Sequence, residues 1–256
     1  MTDALTLTTL VKDFGSKRAV DGLTLAVAQG SIFGLVGPNG AGKTTTLSMA
    51  TGLLRPTYGQ VLVEGVDVWA DPPRAKALMG VLPDGLRLFD RLSGRELLRY
   101  VGLLRRVPPE QVQARSVELL DVLDLTEDAD RMVVDYSAGM TKKIGLACAL
   151  IHAPRLLVLD EPFESVDPLS GETIRGILRR FAGGGGTVIF SSHVMELVEQ
   201  ICDHLAVIAA GRVLTAGSVD EVRAGESLQR RFVHLLGVGV QEEGALGWLR
   251  SSSDSA

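Results

Sequence analysis

The sequence predicts an α/β fold with a mostly parallel sheet at its core, an N-terminal antiparallel β subdomain and an α-helical lobe. Three observations carry that expectation. Short apolar runs at 32–36, 156–159, 187–190 and 205–209 suit buried strands, and they alternate with helical stretches, as in a parallel sheet covered on both faces. Residues 5–30 instead alternate apolar and polar side chains, the pattern of half-buried antiparallel strands. From about 88 to 150 there are helical patterns and no strand signal, which sets this stretch apart as the helical lobe.

The elements follow in order. Gly15 and Asp21-Gly22 interrupt the first alternating region and are expected to divide it into strands. Ile32–Val36 is a buried strand, and Lys43–Ala50 is the next helix. Val61-Leu62-Val63 and Val66-Asp67-Val68 flank Glu64-Gly65 as a hairpin returning to the small sheet. Met79–Pro83 is a short strand. Ser93-Gly94-Arg95-Glu96 has capping-box spacing and opens a helix through Arg106. A second helix follows Pro108-Pro109 to about Leu125. A third starts near Ser137, with Met140, Ile144, Cys148 and Ile151 on one face. Asp167-Pro168 is an N-cap with proline at the first helical position. Gly183–Gly186 reads as a loop, and the Gly- and Ser-rich stretch 237–256 as a poorly ordered tail.

Composition narrows the function. The chain has 256 residues, 46% hydrophobic and 22% charged, with a net charge of −5. The acidic balance disfavours nucleic acid as a partner. No run of about 18 apolar residues is present, so no membrane span is expected. The N-terminus lacks the basic-then-apolar order of a signal peptide. Cys148 and Cys202 read as buried thiols of a reducing compartment, and no Cys/His cluster suggests zinc.

The chemistry is concentrated at two strand ends. Gly37-Pro38-Asn39-Gly40-Ala41-Gly42-Lys43-Thr44 fits G-x-x-x-x-G-K-[ST] and lies between a strand and a helix, the context this P-loop pattern requires. Its glycines let successive N–H groups turn toward one anion, and the helix N-terminus adds partial positive charge. Lys43 can reach β- and γ-phosphates. The Thr44 hydroxyl, next to Thr45, can hold Mg²⁺. The core is therefore expected to be a P-loop NTPase core. Leu156–Leu159 ends in Asp160-Glu161. Asp160 is placed to hold Mg²⁺ through water, and Glu161 to polarise the water that attacks the γ-phosphate.

With these motifs in order, residues 5–235 resemble the nucleotide-binding subunit of an ABC transporter. Tyr136-Ser137-Ala138-Gly139-Met140 resembles the signature L-S-G-G-Q, Asp160-Glu161-Pro162 the Walker B end, Glu164-Ser165-Val166-Asp167 the D-loop, and Ser191-Ser192-His193 the switch histidine. Phe14 falls where the family stacks an aromatic on adenine. The resemblance implies an ATP-binding domain over 1–236 and two ATP molecules sandwiched between two subunits, identical or paralogous, arranged head to tail. Ser137 and Gly139 would contact the γ-phosphate held by the partner, and His193 the one in its own subunit.

Three positions depart from the family pattern. Asp84 stands where most members carry glutamine, and its carboxylate can still bind Mg²⁺ or water. Met140 replaces the last signature glutamine, and Phe163-Glu164-Ser165-Val166 replaces smaller residues before Asp167. Gly80–Asp84, Leu88–Glu96 and the Tyr-Ser-x-Gly-Met signature look most like bacterial exporters of the type-two permease class. That likeness implies an ATPase at the cytoplasmic face of the membrane, docked on an integral membrane permease and exporting a drug, antibiotic or lipid. The alternative is a soluble ABC-type ATPase acting on ribosomes or DNA. A clamp that binds ATP without turnover is disfavoured by Glu161 and His193.

Overall fold

The computed structural model describes residues 3–237. Two sheets organise it. The small antiparallel sheet has the order β2-β1-β4-β5, with β1 at Asp3–Phe14, β2 at Lys17–Ala28, β4 at Tyr58–Val63 and β5 at Val66–Asp67. The larger sheet has the order β10-β9-β3-β8-β7-β6: Arg212–Ser218, His204–Ala209, Ile32–Val36, Thr187–Ser192, Leu156–Leu159 and Met79–Leu82. It is parallel from β9 to β6, and β10 is an antiparallel edge.

One expectation fails here. Asp21-Gly22 does not end a strand, because β2 runs through it. Gly22 takes φ +69° at a register shift, where Leu10 pairs Leu23 and Val11 pairs Asp21. The glycine bulges the strand and bends the ribbon rather than turning it back. Gly183 likewise belongs to a helix, Pro168–Gly183, whose C-cap is Gly184. The expected tail lies, apart from Gly237, outside the described residues.

Alternation along the central strands sorts the core into two layers. Val36, Leu157, Leu159, Val188 and Phe190 face one apolar cluster, and Phe33, Leu35, Leu156, Val158 and Ile189 face the other. The small sheet and α1 (Lys43–Ala50) close the second layer through Leu5, Leu7, Val61 and Leu47. The first layer is closed by α3 (Gly94–Leu104), α4 (Pro109–Val122), α5 (Ala138–Leu150), α6 (Pro168–Gly183) and α7 (Met195–Ile201). Leu97, Leu98 and Leu120 of the helical segment share that cluster with Leu157 and Phe190, so the segment packs on the sheet through one continuous core. The capping box at Ser93 is present, with Ser93 and Glu96 each accepting from the other's amide.

Two glycines let α5 press onto the sheet. A side chain at Gly80 of β6 would collide with the Ala149 carbonyl, and one at Gly145 of α5 with Leu82 and Leu86. The remaining helices, α2 (Pro72–Leu78), α8 (Val219–Arg223) and α9 (Leu228–Leu236), surround the edges.

Candidate active site

The strands β3, β8 and β7 are neighbours, and their C-terminal ends are in register: Leu35 pairs Ser191, Val36 pairs Ser192, and Leu159 pairs Phe190. The P-loop, Ser191–His193 and Asp160-Glu161 therefore open on one edge of the sheet. That edge is where open parallel sheets bind ligands.

Local geometry at the P-loop follows from its glycines. Gly42 has φ +105°, and a side chain there would stand 2.7 Å from the Ala19 carbonyl. It is also the N-cap of α1, with no side-chain cap, so no side chain claims the first-turn amides. The loop is pinned from the turn between β9 and β10: Gly211 N–H donates to the Ala41 carbonyl at 2.9 Å.

Lys43 is buried. Its Nζ donates to the Gly37 carbonyl at 2.9 Å and lies 3.4 Å from Glu161 Oε1. The other oxygen, Oε2, is 3.1 Å from Nδ1 of His193. The three residues expected to be catalytic thus form one contact chain. Glu161 reaches this place with φ +46°, a left-handed conformation that is costly for a residue with a side chain. Its amide donates to Ser191 Oγ at 2.9 Å, and its carbonyl accepts from Lys142 Nζ at 2.9 Å. Ser191 Oγ in turn donates to Asp160 Oδ1 at 2.5 Å. Asp160 is 4% exposed, so this hydroxyl is what satisfies a buried carboxylate oxygen.

A cleft of about 650 Å³ lies over these groups. Phe14, residues 39–45, Asp84, Glu161 and His193 line it. Gly37 and Pro38 lie at the base of the loop, where their carbonyls meet Lys43. Phe14, at the end of β1, is 50% exposed, with Lys12 Nζ 5.2 Å from its ring centroid. Thr44, Asp84 and Asp160 line a smaller recess of about 70 Å³ beside the cleft. A hydroxyl and two carboxylates are hard oxygen donors. Among the described residues no cluster of three or more His, Cys, Asp or Glu forms a metal cage. That donor set fits Mg²⁺, which keeps waters and phosphate oxygens among its ligands.

Ser137 and Gly139 are not on the cleft's walls. Ser137 caps α5, its Oγ accepting from the Met140 amide at 3.2 Å. Gly139 sits against the start of α6, where an added side chain would stand 2.9 Å from Asp167 Oδ2. Lys17 and Lys142 escaped the sequence reading, and Glu164 and Ser191 entered it only as motif positions without a role of their own. Lys17 and Glu164 also line the cleft, and Ser191 and Lys142 hold the backbone and carboxylates beneath it. The pointer to Ser191 was a polar residue ending an apolar strand beside β7.

Comparison with known proteins now bears on this geometry. Residues 20–164 match the family described as ABC transporter. The chain belongs to the ABC transporter family. It is 36% identical over 244 residues to the daunorubicin resistance ATP-binding protein DrrA3 of Streptomyces coeruleorubidus, covering 95% of this chain and 76% of that protein. It is 35% identical over 207 residues to the linearmycin resistance ATP-binding protein LnrL of Bacillus subtilis (strain 168), covering 81% of this chain and 67% of that protein. A solved structure of an ATP-binding subunit of an ABC transporter superposes with TM-score 0.86 at 26% identity, covering 91% of this chain and 99% of that one. The chain is thus a nucleotide-binding ABC ATPase, the ATP-hydrolysing subunit of a transporter. The cleft is where that ATPase keeps its P-loop.

Proposed function

We propose that this ABC ATPase drives export of an amphipathic drug-like, antibiotic or lipid-like compound through a separate integral membrane permease. It would work at the cytoplasmic membrane face as one of two ATP-binding subunits, identical or paralogous. The substrate class is supported by the relatives named for resistance to daunorubicin and linearmycin. A separate permease is supported by the described residues, none of whose helices is long and apolar enough to cross a membrane.

One observation carries the paired arrangement: the cleft gathers the P-loop, Glu161 and His193 but leaves Ser137 and Gly139 outside. Each subunit then owns a binding half and an activating half that serve different nucleotides. Residues 37–45 would hold the phosphates of ATP, and Phe14 would stack on its base. Thr44, Asp160 and Asp84 would hold Mg²⁺, which neutralises phosphate charge when bound. Lys43 would leave the Gly37 carbonyl and Glu161 for phosphate oxygens. Glu161, freed from the ammonium and still beside His193, would accept a proton from the attacking water. The water oxygen bonds to phosphorus as the bond to the ADP leaving oxygen breaks. The partner's signature helix N-terminus would add donors to the transferring group.

Glu161→Gln tests this reading. The amide keeps the shape and is a far poorer base, so turnover falls by on the order of 10²–10⁴. ATP then remains bound between subunits, and sedimentation with ATP and Mg²⁺ shows a dimer that Ser137→Ala weakens. A monomeric Glu161→Gln variant that hydrolyses ATP at the wild-type rate overturns the mechanism.

A further inference from the structure

Away from the cleft, a second recess of about 550 Å³ opens between α2, the end of α3, the start of α4 and the residues after α5. Lys76, Arg105, Arg106 and Arg115 line it, and no Asp or Glu does. The chain as a whole carries a net charge of −5, so this concentration of cations runs against its composition.

The fold gathers them by close helix packing. Gly102 of α3 lies where a side chain would stand 2.8 Å from Val112 of α4. The turn between these helices places Arg106 at φ +60°, a position that glycine occupies at least cost. Arg105 donates to the Lys76 carbonyl at 2.8 Å. Arg115 donates to the Ile151 carbonyl at 2.9 Å and to Gln111 Oε1 at 3.0 Å. These neutral acceptors orient the guanidinium groups and leave their charge unbalanced. The side chains of Lys76 and Arg106 have no hydrogen-bond or ion-pair partner among the described residues. The first turn of α4 faces the same recess through Pro108 and Gln111, without a side-chain cap.

His152 adds a different group to the wall. Its Nε2 meets the Met79 carbonyl at 2.9 Å and so carries the proton, which makes Nδ1 an acceptor. That Nδ1 is buried and unpartnered. The cations that line the recess suit a ligand with several anionic oxygens.

We propose that the recess binds a phosphomonoester group, whose oxygens can accept from Lys76, Arg105, Arg106 and Arg115. The group comes either from a soluble phosphate compound or from a lipid headgroup. This site shares no lining residue with the nucleotide cleft, and the proposal does not depend on the export reading.

The test uses the full chain with its cleft filled by ADP. Inorganic phosphate is titrated at constant ionic strength while the ring signals of the four histidines are followed by NMR. The His152 signal is expected to shift saturably, and Lys76→Gln with Arg106→Gln to raise the dissociation constant about tenfold or more. Each replaced side chain lacks a partner, and the single Lys76→Gln variant serves should the pair impair folding. A second arm floats the protein with phosphatidylcholine vesicles with and without phosphatidic acid. Phosphatidic-acid-dependent flotation lost in the variants assigns a lipid source, and a phosphate effect without flotation assigns a soluble one. No saturable His152 shift and no variant-sensitive flotation overturns the proposal, as does equal affinity in wild type and variants.

Discussion

The nucleotide cleft and the basic recess are of similar size, about 650 and 550 Å³, and both are lined by cations. They settle their charge in opposite ways. In the cleft, Lys43 meets the Gly37 carbonyl and Glu161, and Glu161 meets His193. In the recess, Lys76 and Arg106 meet no partner, and Arg105 and Arg115 meet only neutral oxygens. A site already paired with itself must exchange partners when its ligand arrives, so binding there is tied to rearrangement. A site with spare donors gains contacts without losing any, which suits anchoring rather than switching.

The largest effect that sharpens this contrast is expected at Lys43. Lys43→Ala removes the group that must change partners, and turnover falls by about 10²–10³. Near-normal ATP turnover by the purified variant, with its permease present, breaks the comparison.

Ser191→Ala probes the self-pairing one layer down. It leaves the buried Asp160 carboxylate and the Glu161 amide without their shared hydroxyl. Turnover is expected to fall about 10–100-fold, with a stability loss of about 1–3 kcal/mol in denaturant titrations. Unchanged kinetics would show that the hydroxyl does not position the two acids.

Asp84 sits at the cleft's rim, its carboxylate accepting from the Gly85 amide at 2.7 Å. Asp84→Ala is expected to reduce permease-stimulated turnover about fivefold while ATP affinity, measured by equilibrium binding, changes less. Equal stimulation of wild type and variant removes Asp84 from the coupling route.

The last test belongs to the recess and reads stability rather than turnover. Burial, with help from Arg105 and Arg115, holds His152 down at about pKa 4 against an ordinary 6.5. The unfolded chain then binds the extra proton in that window, so stability falls as pH drops from about 6.5 toward 4. His152→Gln should flatten this part of the thermal-midpoint profile. An identical profile in the variant would remove His152 as its source.

How far the sequence foretold these sites depends on whether the contacts are local. The P-loop was legible because strand, glycines, lysine and helix are contiguous. Asp160-Glu161 was legible because a buried apolar run ends there. The contact of Lys43 with Glu161 was not, because it depends on β7 and β3 both flanking β8. Ser191 was named with its motif, but its role was illegible for the same reason, since its work is done across the β7–β8 pairing. Helices α2, α7 and α8, of seven, seven and five residues, are too short for a period to declare itself. The basic recess was invisible because its cations are scattered from 76 to 115 and meet only in the packed fold.

Helix α5 can act as a lever. Its thirteen residues make a rod about 20 Å long. One end carries Ser137 and Gly139, and from its middle to the other end the helix presses on the sheet, with Gly145 against Leu82 and Leu86 and Ala149 over Gly80 of β6. A rod held over one half moves by tilting, and a tilt of about 6° about Gly145 swings the Ser137 end, about 10 Å away, by about 1 Å. Leu86, lodged against Gly145 two residues after Asp84, stands at the fulcrum. A small displacement of the 84–86 loop would therefore be carried to the Ser137 tip, which the proposed pairing sets against the neighbouring subunit.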